Sequence, residues 1–150
     1  MHRIMGLDIG DKRIGVAVSD PSQILASPLK TIVRKDDQSA ILEIAALATQ
    51  HGIGRLVIGL PYLMDGSVGE QARKVMDFTA GIREHIAVEI VMQDERLTSF
   101  TAGQMLREAG KKRERLKKEI DAAAATVILQ AHLDEIAAGG RISQPELPSL

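Results

Sequence analysis

Acidic residues in three distant parts of the chain have the type and setting to hold a cation: Asp8, the pair Asp94-Glu95, and Asp121. Asp8 stands in MGLDIGDKRIGVAVSD, Met5 to Asp20, among Leu7, Ile9 and glycines. Aspartate is a poor strand former and costly to bury as an unpaired ion, so its place there needs a cause. A bound cation supplies one; capping of the turn that follows is the plain alternative. Asp94-Glu95-Arg96 comes directly after an apolar segment, and the ends of parallel strands are where open α/β sheets carry ligand sites. A solvated turn with Asp94 paired to Arg96 would look the same. Asp121 lies in EIDAAAATVILQ, where helical spacing sets it over Ala124, Ala125 and Ile128. That small, apolar face would bring a helix close to a sheet. An acid in a first helical turn is also favoured by the helix dipole, by about 0.3–1 kcal/mol. If these acids meet, each raises the others' pKa unless a cation neutralises them. Hard oxygen donors with open positions suit Mg²⁺ or Mn²⁺, which keep waters and bind phosphate oxygens.

Basic residues flank the same segments. Lys12 and Arg13 follow Asp8, Arg96 follows Glu95, and Arg107 to Lys118 includes Lys111, Lys112 and Arg113 just before Asp121. Such a run is commonly a solvated, mobile connector; at the mouth of an acidic site it would serve phosphodiester contacts. His2, His51, His85 and His132 are scattered and read as surface or rim residues, and the chain has no cysteine. Both facts argue against zinc.

The elements that must position these groups follow from periodicity. Met5 to Asp20 reads as a β-hairpin, with Gly10-Asp11-Lys12-Arg13 as its turn. A third strand is expected over Leu29–Val33, after Pro21 and Pro28. Asp36 or Asp37 caps a helix to about His51, with Ile41, Leu42, Ile44, Ala45 and Ala48 inward. Arg55–Leu60 is continuously apolar after its first residue, the pattern of a parallel strand covered on both faces. Ser67-x-x-Glu70 predicts a capping box opening a helix to about His85, whose N-terminus is also a candidate phosphate site. Val88, Ile90 and Met92 alternate with Glu89, Val91 and Gln93, as in a half-exposed edge strand. Thr98 or Ser99 opens a helix to Ala109, and Ile120–Ala138 is the last helix. The order β-β-β-α-β-α-β-α-α predicts an α/β fold: a five-stranded mixed sheet, parallel with one antiparallel member, flanked by helices. The domain is expected over 1–138, with a loose tail at 139–150.

At 150 residues, 45% hydrophobic and 26% charged, the chain is of a size and composition for one globular domain. A net charge of −1 gives no global pull toward nucleic acid or anionic membrane. Only Tyr62, Phe78 and Phe100 are aromatic, too few for a platform of stacked bases. The N-terminus has no signal-peptide shape, and no apolar run approaches the roughly 20 residues of a membrane helix. A cytoplasmic protein with no membrane partner is expected.

Four segments, LDIGDKRIGVAVSD, VIGLPYLMDGS, QDERLTS and IDAAAATVILQ, together resemble the YqgF/RuvX family in order and spacing, over roughly Met5 to Asp134. The resemblance implies an RNase H-like fold and a cytoplasmic, Mg²⁺-dependent nuclease. It implies a role in 5′-end maturation of pre-16S ribosomal RNA, on nucleic acid or a small-subunit precursor. The earlier assignment of that family, a Holliday junction resolvase acting on branched DNA, is the alternative. The family's acids fall on Asp8, Glu95 and Asp121, with Asp94 in the same motif as Glu95. They would hold one or two Mg²⁺ (or Mn²⁺) ions. Lys12, Arg13, Arg96, Lys111, Lys112 and Arg113 are the candidate phosphate contacts. Two other classes stay in view. Asp8-Ile9-Gly10 also resembles the phosphate hairpin of actin-like ATPases and sugar kinases, but those need two lobes. A non-catalytic nucleic-acid-binding module is the other, and retention of all three acids argues against it.

Overall fold

A computed structural model describes residues 2–94 and 113–139, with side chains of the second stretch described from 122 onward. Five strands, β1 (Arg3–Ile9), β2 (Arg13–Ser19), β3 (Ala26–Val33), β4 (Ile53–Leu60) and β5 (Glu89–Asp94), form one sheet in the order β3-β2-β1-β4-β5. β2 runs antiparallel to β1 and β3, while β1, β4 and β5 run parallel. The expected mixed sheet is thus present, with β1 at its centre. β3 starts three residues earlier than the sequence suggests, passing through Pro28. A proline cannot donate to a ladder, and it is tolerated here because β3 is an edge.

Helices α1 (Asp37–Gln50) and α2 (Glu70–His85) cover one face. There Met5, Leu7, Ile9, Ile58, Leu60 and Met92 pack on Ile41, Ile44, Val75, Phe78 and Ile82. Asp36 caps α1, accepting from the Ser39 N–H at 2.8 Å. Leu42, expected inward, is instead half exposed: the buried stripe runs through Ala40, Ile41, Ile44 and Ala48, and Leu42 lies off it. The capping box does not form. Ser67 Oγ and N–H both bond to Asp65 Oδ1, at 2.6 and 2.9 Å. Helix α2 then starts at Glu70 behind Gly69, which offers no side-chain cap. The helix end considered as a phosphate site therefore lies at Gly69–Glu70 rather than at Ser67. β5 is an edge strand as expected, but its half-exposed reading fails beyond Ile90, since Val91, Met92 and Gln93 are buried.

The opposite face is covered by α3, Arg113–Ala137. It begins well before Ile120, so Arg113, Glu114 and Arg115 are helical rather than part of a connector. Ala125, Ile128, Leu129 and Leu133 pack on Ile4, Ala17 and Val57, each large aliphatic among them contributing about 1.5–3 kcal/mol by leaving water. The close approach is possible because Gly6 faces the helix. A Cβ there would meet Leu129 Cβ at 2.8 Å and the Ala125 carbonyl oxygen at 3.0 Å. The expected helix from Thr98 or Ser99 to Ala109 lies outside the described residues, as does the tail beyond Gly139.

Replacing Gly6 by valine should destabilise the fold by about 1–3 kcal/mol, the usual cost of overpacking. Urea unfolding checks it, and an unchanged midpoint would contradict the Gly6–α3 contact.

Candidate active site

Asp8 lies in the central strand, half buried. Strand alternation puts it on the face of Ile4 and Gly6, against α3, while Met5, Leu7 and Ile9 take the other. Its cross-strand partner on β2 is Gly15. On the β4 side, Ile58 pairs with Leu7, and Gly59 comes next. Both lateral neighbours of Asp8 are therefore glycines. Gly59 pairs in turn with Gln93 of β5.

The direction of α3 follows from two contacts. Ala125 and Leu129 lie against Gly6. Gln130 reaches the other end of the sheet, accepting from the Ala26 N–H and donating to the Ile24 carbonyl; Ala26 pairs with Ser19, whose hydroxyl accepts from the Ile4 N–H. Rising residue numbers in α3 thus run away from Asp8. Position 121 lies one turn before Ala125, about 6 Å back along the helix. Asp8 lies two residues beyond Gly6, about 6.8 Å along the strand. Starting from one contact, helix and strand carry the two aspartate backbones the same distance toward the same end of the sheet. Ala124, Ala125 and Ile128, expected to form the inward face, are all buried.

Asp94 and Asp8 point to different faces. Asp94 shares a row with Ile90 and Met92, on the α1–α2 side. Glu95 and Arg96 lie outside the described residues, as do Lys111 and Lys112. Arg113 is the first residue of α3. Lys12 is exposed in the hairpin turn. Arg13, paired with Val33, shares the parity of Gly15 and so the face of Asp8. Among the described residues no group of three or more histidines, cysteines or acids forms a metal cluster; of the candidate ligands, only the side chains of Asp8 and Asp94 fall within that search. What is in place fits a hard divalent cation: a half-buried carboxylate flanked by two glycines, with the backbone of a second acid brought to the same sheet end.

The turn after Asp8 is held by a residue that sequence alone did not single out. Arg34, just past β3, donates from Nη1 to the Gly10 carbonyl at 2.7 Å. Its Nε and Nη2 donate to Asp37 Oδ1 at 3.1 and 2.8 Å. A longer contact, 3.7 Å, ties Asp11 at the turn to Lys74 of α2.

His132, read as a rim residue, is fully buried. Its Nε2 lies 3.2 Å from Arg55 Nη1. A guanidinium can only donate, so Nε2 accepts and a neutral ring carries its proton on Nδ1. Arg55 also pairs with Glu89 at 3.0 Å. Burial, then the Arg55 charge, holds the His132 pKa below its ordinary value, against smaller opposing effects of Glu135 and Glu89. The position was legible, since 132 continues the stripe 121, 125, 128.

The arrangement of five strands, with the Asp8 hairpin at the centre and a helix crossing its face, is the RNase H-like fold. Its likeness to T. thermophilus RuvC, solved with a Holliday junction substrate, has a TM-score of 0.59 at 16% identity, covering 96% of this chain and 99% of the other. The fowlpox virus resolvase, in complex with Holliday junction DNA, has a TM-score of 0.55 at 10% identity, over 89% and 98%. Residues 2–135 match the RuvX family, described as Holliday junction resolvase, and the chain belongs to that family. A relative from Clostridium botulinum strain Hall is 43% identical over 134 residues, 89% of this chain and 98% of its own. One from Chloroflexus aggregans is 44% identical over 131 residues, 87% and 92%. Both carry the provisional name pre-16S rRNA nuclease.

A histidine kept neutral by the fold stabilises it fully above the unfolded pKa of about 6.5, and that stability is lost as pH falls through it. The urea midpoint should therefore drop between pH 7.5 and 5.5, and drop less in His132→Gln. Equal drops in the two proteins would contradict the buried, neutral ring.

Proposed function

We propose that this chain is a metal-dependent nuclease that hydrolyses phosphodiester bonds during 5′-end maturation of pre-16S ribosomal RNA, on the small-subunit precursor in the cytoplasm. The observation that supports it most is the matched displacement of Asp8 and Asp121 from the Gly6–Ala125 contact. Asp8, Glu95 and Asp121 would hold Mg²⁺ or Mn²⁺; the register of β5, which turns Asp94 to the opposite face, favours Glu95 over Asp94. When bound, the ion would polarise the phosphate and lower the pKa of a water, making a nucleophile available near neutral pH. The carboxylates lend the ion its place and are themselves kept ionised by it. Arg13, on the face of Asp8, and Lys12, at the turn, hold the backbone phosphates on either side of the scissile one. Arg96, Lys111, Lys112 and Arg113 extend that rim. The flanking glycines 15 and 59 leave room for a sugar-phosphate backbone to lie across the strand. No side-chain nucleophile is needed.

The relatives' names favour ribosomal RNA, and the family's description supports a second reading, branched DNA. Cleavage of a precursor RNA carrying its 5′ leader, set beside cleavage of a four-way DNA junction, decides between them; RNA is expected to be cut faster.

Asp8→Asn should lower Mg²⁺-dependent RNA cleavage by more than the roughly 10–100-fold lost when a group that merely supports a ligand is changed. Asp121→Asn should do the same. Wild-type rates in either would overturn the proposal. Lys12→Ala and Arg13→Ala should each lower the salt dependence of RNA binding by about one unit of slope. An unchanged slope would remove these residues from the phosphate contacts.

A further inference from the structure

We propose that Arg34 is a positioning residue for the acidic site, setting the hairpin turn that follows Asp8. This rests on the metal-dependent reading above. The turn itself is exposed at Asp11 and Lys12 and is closed by one bond of its own, Gly10 N–H to the Arg13 carbonyl at 2.9 Å. Arg34 grips it twice more. Its side chain donates to the Gly10 carbonyl at 2.7 Å, and its backbone N–H donates to the Lys12 carbonyl at 2.9 Å. The guanidinium is fixed by two helices and shielded from water. It lies 4.4 Å over the ring of Phe78 in α2, it is bound to Asp37 in the first turn of α1, and it is only 14% exposed.

The chemistry of the side chain is matched to this task. A planar guanidinium can stack on a ring while sending separate N–H groups to a carbonyl and a carboxylate; a lysine ammonium is a point charge on a flexible stem and cannot keep all three. The bond to Gly10 is charge-assisted and largely shielded from water, so it is stronger than a neutral turn bond. Its target lies two residues from Asp8 and immediately before the turn that carries Lys12 and Arg13. Arg34 thereby ties the proposed ligand and both proposed phosphate contacts to the helix layer on the far side of the sheet. It touches neither metal nor substrate, and acts through the turn.

The test compares wild type, Arg34→Gln and Arg34→Lys. Amide exchange at Gly10 reports the turn without any metal, and should quicken in both variants. Mn²⁺ affinity of the RNA-free protein, followed by electron paramagnetic resonance, and kcat should each fall by about 10–100-fold in Arg34→Gln, and KM for RNA should rise as Lys12 and Arg13 lose their fixed turn. Arg34→Lys should recover melting temperature more than Mn²⁺ affinity. If Arg34→Gln fails to fold, Asp37→Asn, which changes an exposed carboxylate and leaves the core alone, should show the same effects in weaker form. A lowered melting temperature with wild-type Mn²⁺ affinity and kcat would make Arg34 a packing residue only and overturn the proposal. Unchanged exchange at Gly10 would overturn the grip itself. Mn²⁺ binding that survives Asp8→Asn intact would instead overturn the metal reading, and this role with it.

Discussion

A missing side chain at Gly6 sets how closely α3 can lie on the central strand, and the rest of the site depends on that distance. Leu129 Cβ and the Ala125 carbonyl occupy the space a Cβ would need, so helix and strand touch through backbone and small residues. Ala124 and Ala125 keep the neighbouring turn equally thin. Two rigid elements in contact at one point carry their next residues along predictable paths, which is how acids more than a hundred positions apart in sequence can be delivered to one end of a sheet. A site built from strand and helix backbone is fixed more firmly than one built from loops alone.

The same end of the sheet would be unstable as a bare cluster of acids, because like charges in a half-buried setting oppose each other's ionisation. A divalent ion resolves that conflict, and the glycines beside Asp8 leave it access. The hairpin turn beside Asp8 is the exposed part of this end of the sheet. The fold restrains it from behind, with the Arg34 guanidinium on the Gly10 carbonyl and, more weakly, Lys74 near Asp11. The second contact is exposed and adds little energy; the first is shielded and stacked. The part-buried Arg55–His132 pair connects β4 to α3 at the level of the sheet away from Asp8, so the helix is anchored beyond the Gly6 contact as well as at it.

Local patterns made much of this readable. The hairpin, the apolar β4 run and the inward face of α3 each follow from periods of two or 3.6 residues, and the acids stood out because they break those patterns. What failed were inferences that depended on competition between partners. Ser67-x-x-Glu70 satisfies the capping-box pattern, yet Asp65 captures Ser67 first. Leu42 lies between buried positions in sequence but off the stripe in space. The charged run before Asp121 hid the start of α3, because Arg, Lys and Glu are good helix formers as well as good linker residues. Arg34 carried no signal at all: its partners Gly10, Asp37 and Phe78 belong to three other elements. Of the site itself, Asp8, the parity of Arg13 and the placement of position 121 were within reach, whereas Glu95, Arg96, Lys111 and Lys112 lie outside the described residues.

In the proposed site, acids from β1, from the segment after β5 and from α3 share one divalent ion. A crystal of the full chain soaked in Mn²⁺ and measured at the manganese absorption edge tests it most directly. An anomalous peak is expected between the carboxylates of Asp8 and Asp121, with Glu95 completing the set. Saturating Mn²⁺ with no peak there, or with Asp8 and Asp121 facing separate solvent, would contradict it.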